Sequence, residues 1–140
     1  MRIATYNIEW FNTLFDNVGG VIEDTSWSLR YDVTKAMQAH AIGNVMARIN
    51  ADMIMVIEAP DTSKHRDGGI ALESFANRFG LRVSKAMMGF PNTTQQEIAL
   101  MYDPARVNVQ HRPGSTARAP QFDQTFLIDL DVDEKRERVE

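Results

Sequence analysis

Two apolar stretches that each end in a polar residue decide the fold: Arg2-Ile3-Ala4-Thr5-Tyr6-Asn7 and Asp52-Met53-Ile54-Met55-Val56-Ile57-Glu58. A carboxylate or an amide directly after an apolar strand is poorly placed for packing, but it is well placed at the edge of a sheet where ligands and metals bind. The pairing of Asn7 with Glu58 therefore indicates a metal-using site. The second stretch shows no polar alternation, which predicts a strand that is covered on both faces.

A predicted helix between the two stretches brings their ends together. Thr34 or Asp32 can cap a helix that runs to about Asn50. This helix has apolar residues at the spacing of a buried face, namely Ile42, Val45, Met46 and Ile49. A strand–helix–strand unit crosses over in the right-handed sense, which makes its two strands parallel in one sheet. Parallel strands end at the same edge, so we expect Asn7 and Glu58 to be neighbours in space.

Composition limits the class of protein and the kind of metal site. The chain has 140 residues, of which 44% are hydrophobic and 24% charged, as is typical of one soluble globular domain. No apolar run approaches the roughly 20 residues that a membrane helix needs, and the start lacks a secretory signal, so we expect a cytoplasmic protein. The absence of cysteine leaves oxygen and imidazole as metal ligands. The net charge of -4 argues against indiscriminate nucleic-acid binding, but it leaves a focused site open.

The rest of the chain alternates between loops, a helix and further strands. Residues 11–32 form a long connection in which Phe11, Phe15 and Trp27 predict a packed loop. The next patterns predict a helix from Ile70 to Phe79, which Gly80 ends, and a strand from Leu81 to Met88. Residues 98–102 and 107–111 are predicted to form a hairpin about the turn Asp103-Pro104-Ala105-Arg106. A last hairpin is predicted from strands 125–132 and 136–140.

Three segments resemble, in order, motifs of the endonuclease/exonuclease/phosphatase superfamily. Thr5-Tyr6-Asn7-Ile8-Glu9-Trp10 is similar to the opening motif, whose strand ends in an asparagine. Met53-Ile54-Met55-Val56-Ile57-Glu58 is similar to the second motif, a hydrophobic strand that ends in the magnesium-ligand glutamate. Residues 97–107 look like the strand and turn that this family has in mid-domain. The resemblance extends over nearly the whole chain.

The resemblance implies a fold and an activity. The fold is an α/β domain with two facing mixed sheets and helices on the outer faces, a four-layer sandwich of roughly twice this length. Residues 1–140 are therefore expected to be one incomplete domain, its amino-terminal half. The activity is Mg²⁺-dependent hydrolysis of phosphate esters, of the nuclease or phosphatase type, with Mn²⁺ as the alternative ion. The family's Asp-x-Asn segment and terminal Asp-His pair are not found in this sequence, so we expect the chain alone to be inactive.

The chemistry of phosphate-ester hydrolysis assigns roles to the residues of the first two motifs. Mg²⁺ neutralises phosphate oxygens and activates water, and Glu58 offers the hard carboxylate oxygen that it prefers. The amide of Asn7 can orient water or donate to a phosphate oxygen without adding negative charge, which is a catalytic role. Glu9, on the same predicted strand face as Asn7, is a candidate accessory acid.

Several basic residues are candidates for phosphate binding. Lys64 and Arg66 follow Glu58 closely, and Arg112 and Arg118 flank the loop 113–117. Arginine forks match phosphate geometry, but the alternative, which we favour for each of the four residues, is an ordinary solubilising surface charge. His65 is the one histidine near Glu58 that merits a test as a substitute base, and its alternative is a solvated loop residue.

Two classes of function remain open at this point. One is a Mg²⁺-dependent hydrolase whose substrate is a phosphate ester, with nucleic acid as a possible substrate. The other is a non-catalytic half-domain that uses its exposed sheet to bind a partner, a second copy of itself or the missing half. Burial favours some pairing in both cases, because a sheet built for a two-sheet sandwich has an inner apolar face to cover.

Overall fold

The chain forms a mixed four-stranded sheet with two α-helices on one of its faces. In the computed structural model, residues 1–30, 32–89 and 97–110 are described, together with the backbone of strands 126–130 and 135–139. The sheet has the order β1-β2-β4-β3. Its elements are β1 Ile3–Asn7, α1 Lys35–Ile49, β2 Met53–Ala59, α2 Gly68–Arg78, β3 Lys85–Met88 and β4 Glu97–Tyr102. The protein therefore has an α/β fold.

The predicted strand–helix–strand unit is confirmed. β1 and β2 are parallel neighbours, in a register that runs from Ile3 beside Met53 to Asn7 beside Ile57. On its other side β2 pairs with β4 in the antiparallel sense, and β4 pairs with β3 in the same way. The carboxyl ends of β1 and β2 consequently lie at one edge of the sheet.

Both helices start and stop at recognisable capping residues. The Thr34 hydroxyl oxygen accepts a hydrogen bond from the Met37 N–H at 3.2 Å, so α1 begins where the sequence predicted. α2 begins two residues earlier than predicted because the Asp67 carboxylate accepts from the Ile70 N–H at 3.1 Å. Gly80, at φ +60°, follows the end of α2 as expected of a glycine stop.

The core lies between the helices and one face of the sheet. Its members come from both helices and from the inward positions of β2 and β4: Ala39, Ile42, Met46, Ile54, Val56, Ala71, Leu72, Phe75, Ala76, Ala99 and Met101. The long connection after β1 adds a 3-10 helix, Phe11–Leu14, whose Phe11 ring meets the Phe75 ring edge-on at 5.0 Å. The predicted packing of that connection is confirmed for Phe11 and Phe15, which are buried, but is wrong for Trp27, which is 64% exposed. Val45, predicted to face the core, is also exposed.

The second face of the sheet is open and apolar. Ile3, Met55 and Ile98 are 58%, 43% and 51% exposed, and all three lie on the side away from the two helices. The prediction that β2 is covered on both faces is therefore wrong for the described residues. The apolar run in β2 gave no sign of this, because Met55 on the open face is as hydrophobic as its buried neighbours.

Two predicted strands differ from the structure. Only the second half of the predicted strand 81–88 is a strand, and Leu81 and Val83 are instead buried in the connection after α2. The predicted hairpin between residues 98–102 and 107–111 is wrong, since β4 is flanked on its two sides by β2 and β3 and has no free edge. Residues 107–110 accordingly form no strand, and residue 111 lies outside the described part. The turn from Asp103 to Arg106 is confirmed by a hydrogen bond from the Arg106 N–H to the Asp103 carbonyl oxygen at 3.0 Å.

The last predicted hairpin is present in the backbone. β5, Phe126–Leu130, and β6, Lys135–Val139, pair in the antiparallel sense as a separate two-stranded sheet. Residues 131–134 and 140 lie outside the described part. Neither α1 nor α2, the two α-helices of the described residues, has the length and apolar character needed to cross a bilayer.

Candidate functional site

A β-bulge places Glu58 outside the regular strand pairing. In the register between β2 and β4, Ile57 pairs with Ile98 and Ala59 with Glu97, so Glu58 is the extra residue. Its φ of +60° is left-handed, which costs a non-glycine residue roughly 1 kcal/mol. Bulges of this kind re-aim a side chain and are over-represented next to active sites.

The direction of the Glu58 side chain follows from its neighbours in β2. Val56 and Ala59 are both fully buried on the core face, which means that the strand changes phase between them. Ile57 therefore lies on the open face, and Glu58 is not turned into the core. Its side chain is half-buried at the carboxyl edge of the sheet.

Asn7 lies at the same edge, on the adjacent strand. It is exposed, and it pairs in register with Ile57, the residue before Glu58. The Ile8 N–H donates to the Ile57 carbonyl oxygen at 3.1 Å, so the two strands stay together just past Asn7. Neighbouring strands are about 4.8 Å apart, which makes Asn7 and Glu58 close neighbours.

The described part of the chain gives neither side chain a polar partner. Within it, no hydrogen bond or ion pair involves the Glu58 carboxylate or the Asn7 amide. A partly buried carboxylate normally has a partner, because desolvation is costly for a lone charge. Glu58 is thus free to take a cation.

The donor set fits an ion that needs few protein ligands. Among the described residues, no three of the histidine, aspartate and glutamate side chains converge on one point. A zinc site is usually built from several such side chains. Mg²⁺ is different, because it keeps several waters and is commonly bound by one or two carboxylates. Glu58 beside Asn7 fits this pattern.

Glu9 lies apart from the strand face that was predicted for it. β1 ends at Asn7, so the expectation that Glu9 shares a face with Asn7 is wrong. The Glu9 carboxylate forms an ion pair with Arg30, with 2.6 Å between Oε2 and Nη1. Its carbonyl oxygen accepts from Gln38 Nε2 at 2.8 Å, which fixes this turn to α1.

Arg66 is a largely but not fully buried structural cation rather than a free phosphate ligand. Its side chain is only 10% exposed. The three guanidinium nitrogens of Arg66 donate to five oxygen atoms. These are the side-chain Oδ1 and the carbonyl oxygen of both Asn12 and Asp61, and the carbonyl oxygen of Phe15. Burial lowers the pKa of Arg66, and the negative charges of Asp16 and Glu97 partly oppose this by raising it. No nitrogen of Arg66 is left without a partner, so its placement does not support the predicted phosphate contact.

The other predicted site residues differ in accessibility. Lys64 and His65 are exposed in the loop that follows β2, and the His65 N–H donates to the Ser63 hydroxyl at 3.3 Å. Lys64 has no hydrogen-bond or ion-pair partner among the described residues, so it can approach a phosphate near this edge. Arg112 and Arg118 lie outside the described part.

Two further polar residues at this edge were missed by the sequence analysis. Asn12 accepts at Oδ1 from the Asp61 N–H at 3.2 Å and from Arg66. Glu97, which is buried, accepts from the Thr62 N–H at 3.2 Å. Asn12 is 49 to 54 positions from its partners, so no local period in the sequence marks it.

A concave region lies at the opposite end of the sheet. A cavity of about 370 Å³ is lined by Met1, Arg2, Asn50, Asp52, Arg82 and Arg106. It lies at the amino ends of β1 and β2, far from Asn7 and Glu58. Arg82 already pairs with two carboxylates there, those of Asp52 and Asp103. Because the charged groups of this cavity already pair with one another, the Glu58 carboxylate, which has no partner among the described residues, is the better candidate for the chemical site.

Comparisons with known proteins add no neighbour to this description. No family model matches the chain, and neither a curated protein nor a solved structure matches it. Membership of the endonuclease/exonuclease/phosphatase superfamily therefore stays a prediction from the sequence motifs.

Proposed function

We propose that this chain is the metal-site half of a Mg²⁺-dependent hydrolase of phosphate esters, of the nuclease or phosphatase type. The observation that carries the proposal is the carboxylate of Glu58, which lies on left-handed backbone in the bulge beside Asn7 and has no polar partner among the described residues. Non-glycine residues in left-handed backbone cluster at active sites and ligand clamps. The motif resemblance of both strands points to the same two residues.

The residues of this edge have distinct roles in the proposed chemistry. Glu58 would hold Mg²⁺, and its partial burial strengthens the attraction because the local dielectric is lower than in water. The bound ion supplies charge neutralisation of phosphate oxygens and activation of water. The amide of Asn7 donates to a phosphate oxygen, and Lys64 adds positive charge. Mn²⁺ would serve in place of Mg²⁺.

We infer that the complete fold is the two-sheet, four-layer sandwich. The open apolar face of the sheet, with Ile3, Met55 and Ile98, supports this, since two sheets that pack face to face bury such side chains between them. The β5–β6 hairpin also supports it. A two-stranded sheet is marginal by itself and gains stability as part of a larger packed layer.

The same open face favours a second candidate function, a non-catalytic module. In this case the exposed sheet binds a partner, a second copy of the chain or a separate carboxy-terminal half. Light scattering on the purified chain separates this candidate, because self-association through the face gives a dimer mass. A folded monomer that binds no added second half would contradict it.

The metal role of Glu58 is tested by Mn²⁺ binding to the wild-type chain and to Glu58→Gln. Paramagnetic broadening of the Asn7 and Glu58 backbone amide signals reports the location of the ion. We expect broadening in the wild type and its loss in the variant, which keeps the size of the side chain but removes its charge. Glu73→Gln is the matched control, because Glu73 is a glutamate on α2 that pairs with Lys85 at 2.9 Å. Broadening that survives in Glu58→Gln contradicts the proposal.

Hydrolysis is tested with bis-p-nitrophenyl phosphate and Mg²⁺. We expect little or no turnover by this chain alone, because the sequence lacks the Asp-x-Asn and Asp-His motifs. Turnover that disappears in Glu58→Gln would contradict that expectation and show that the residues present are sufficient for the reaction.

A further inference from the structure

We propose that Arg66 is a positioning residue that holds in place the two loops leading away from Asn7 and Glu58. This inference rests on the proposed metal site and adds a residue that touches neither metal nor substrate. The residue lies in the loop that follows β2, and its side chain reaches across to the turn that follows β1. Each loop leads directly away from one of the two site residues.

The contacts of Arg66 cross between these loops. On one side it donates through Nη1 to the carbonyl oxygens of Asn12 and Phe15, at 3.4 Å each, and through Nη2 to Asn12 Oδ1. On the other side it binds Asp61, through Nε to the carbonyl oxygen at 3.3 Å and through Nη2 to Oδ1. Asn12 and Asp61 are also joined directly, since the Asp61 N–H donates to Asn12 Oδ1 at 3.2 Å. One guanidinium therefore joins both loops.

The joined residues are close in sequence to the site. Asn12 is five positions after Asn7, and Asp61 is three positions after Glu58. A displacement of either loop is passed along these few residues to the strand ends. Groups hydrogen-bonded to a metal ligand set its orientation, and their loss typically weakens metal binding about ten- to a hundred-fold. Arg66 acts one step further away, through the two loops, so we expect an effect at the lower end of this range.

The loop that carries Arg66 is itself ordered by hydrogen bonds. The Ser63 N–H donates to the Arg66 carbonyl oxygen at 2.8 Å, and the Arg66 N–H donates to the Ser63 hydroxyl at 3.2 Å. Thr62 joins the same loop to β4, because its N–H donates to the carboxylate of Glu97, the residue that pairs with Ala59 beyond the bulge. The loop that carries the guanidinium is thus held in place by its own hydrogen bonds, in addition to the contacts of the guanidinium itself.

Burial makes this arrangement dependent on an arginine. A buried cation is costly unless all its donors are used, and here five oxygen atoms surround the group. A lysine carries the same charge on a single nitrogen, so it cannot reach both loops in the same geometry. The fork, and not the charge alone, accounts for the link.

The test compares Mn²⁺ affinity and thermal stability in matched variants of the full chain. We expect Arg66→Gln and Arg66→Lys to raise the Kd for Mn²⁺ about tenfold and to lower the melting temperature. Arg82→Gln is the control, because Arg82 donates to Asn50, Asp52 and Asp103 at the opposite end of the sheet. It should lower the melting temperature by a similar amount and leave the Kd unchanged.

Each outcome bears on the proposal. An unchanged Kd in Arg66→Gln, an equal rise in Arg82→Gln, or full recovery in Arg66→Lys overturns it and leaves the metal site standing. Absence of Glu58-dependent Mn²⁺ binding in the wild type overturns the metal site and this inference together. Should Arg66→Gln fail to fold, Asn12→Ala decides, since it removes both contacts of Asn12 Oδ1, with Arg66 and with the Asp61 N–H, and keeps Asp61 bound to Arg66. It too should raise the Kd.

Discussion

Arg82 and Asp52 form an ion pair at the amino ends of the central strands, with 2.8 Å between Nη1 and Oδ1. The same carboxylate accepts from the backbone N–H of Arg2 at 2.5 Å. Asp103, at the end of β4, also pairs with Arg82, at 3.1 Å. This cluster ties three strands together at the end of the sheet opposite to Asn7 and Glu58.

Stability should fall in acid. The N–H of Arg2 and then the Arg82 guanidinium hold the pKa of Asp52 below its ordinary value of 3.8. Backbone N–H groups of Val18 and Gly20 lower the pKa of Asp16 in the same way. A carboxyl group with a depressed pKa in the folded state stabilises it above about pH 4, and this contribution is lost as the pH falls through the folded value. Urea unfolding midpoints should therefore be level near neutrality and drop below about pH 4.

The variant Asp52→Asn provides the control for the acid prediction. It should be less stable at neutral pH and should show a shallower fall in acid. A wild-type midpoint that is unchanged down to about pH 3 would show that the folded and unfolded pKa values are equal.

At position 58, glycine should be more stable than alanine. Both substitutions remove the carboxylate, but only glycine takes φ +60° without strain, so Glu58→Gly should exceed Glu58→Ala by about 1 kcal/mol in free energy of unfolding. Inside a regular strand the order is reversed. Met55→Gly and Met55→Ala, in the same strand, provide that comparison, and chemical denaturation measures all four. If the alanine variant were more stable than the glycine variant at both positions, this would contradict the left-handed conformation of Glu58.

Phe75 should be one of the most sensitive positions of the core. It is fully buried, and its ring contacts those of Phe11, Phe15 and Phe79. Phe75→Ala should cost about 3–5 kcal/mol in the free energy of unfolding, from lost burial and the cavity that remains. Trp27→Ala is the control: an exposed aromatic should cost no more than about 0.5 kcal/mol. Denaturant unfolding of both variants checks the contrast, and equal costs would place Phe75 outside the core.

Local sequence patterns were sufficient for the elements that depend on local contacts. The Thr34 cap and the apolar spacing of α1 lie within one segment, and the crossover rule then made β1 and β2 parallel. The partners of β4 were not predictable in this way. Its hydrogen bonds go to strands on both of its sides, and the nearby residues 107–110 only looked like a partner because they follow a turn.

For the candidate site, too, only the features that depend on local sequence could be predicted. The shared edge of Asn7 and Glu58 followed from strand direction alone. The bulge did not, because glutamate has no preference for left-handed backbone and the extra residue appears only when β2 is aligned with β4. The role of Arg66 was hidden for a similar reason, since a charged residue in a polar loop resembles a solvated one until its distant partners are known.

Because of the bulge in β2, the side chain and the backbone of residue 58 are subject to separate constraints. Residue 58 has no partner in the strand pairing, so strand packing does not constrain its side chain. The only backbone requirement at this position is that the residue can adopt a positive φ. Asparagine and aspartate meet that demand better than most residues. In the proposed metal site, a single exchange at this position would change the preferred ligand while the architecture around it persists.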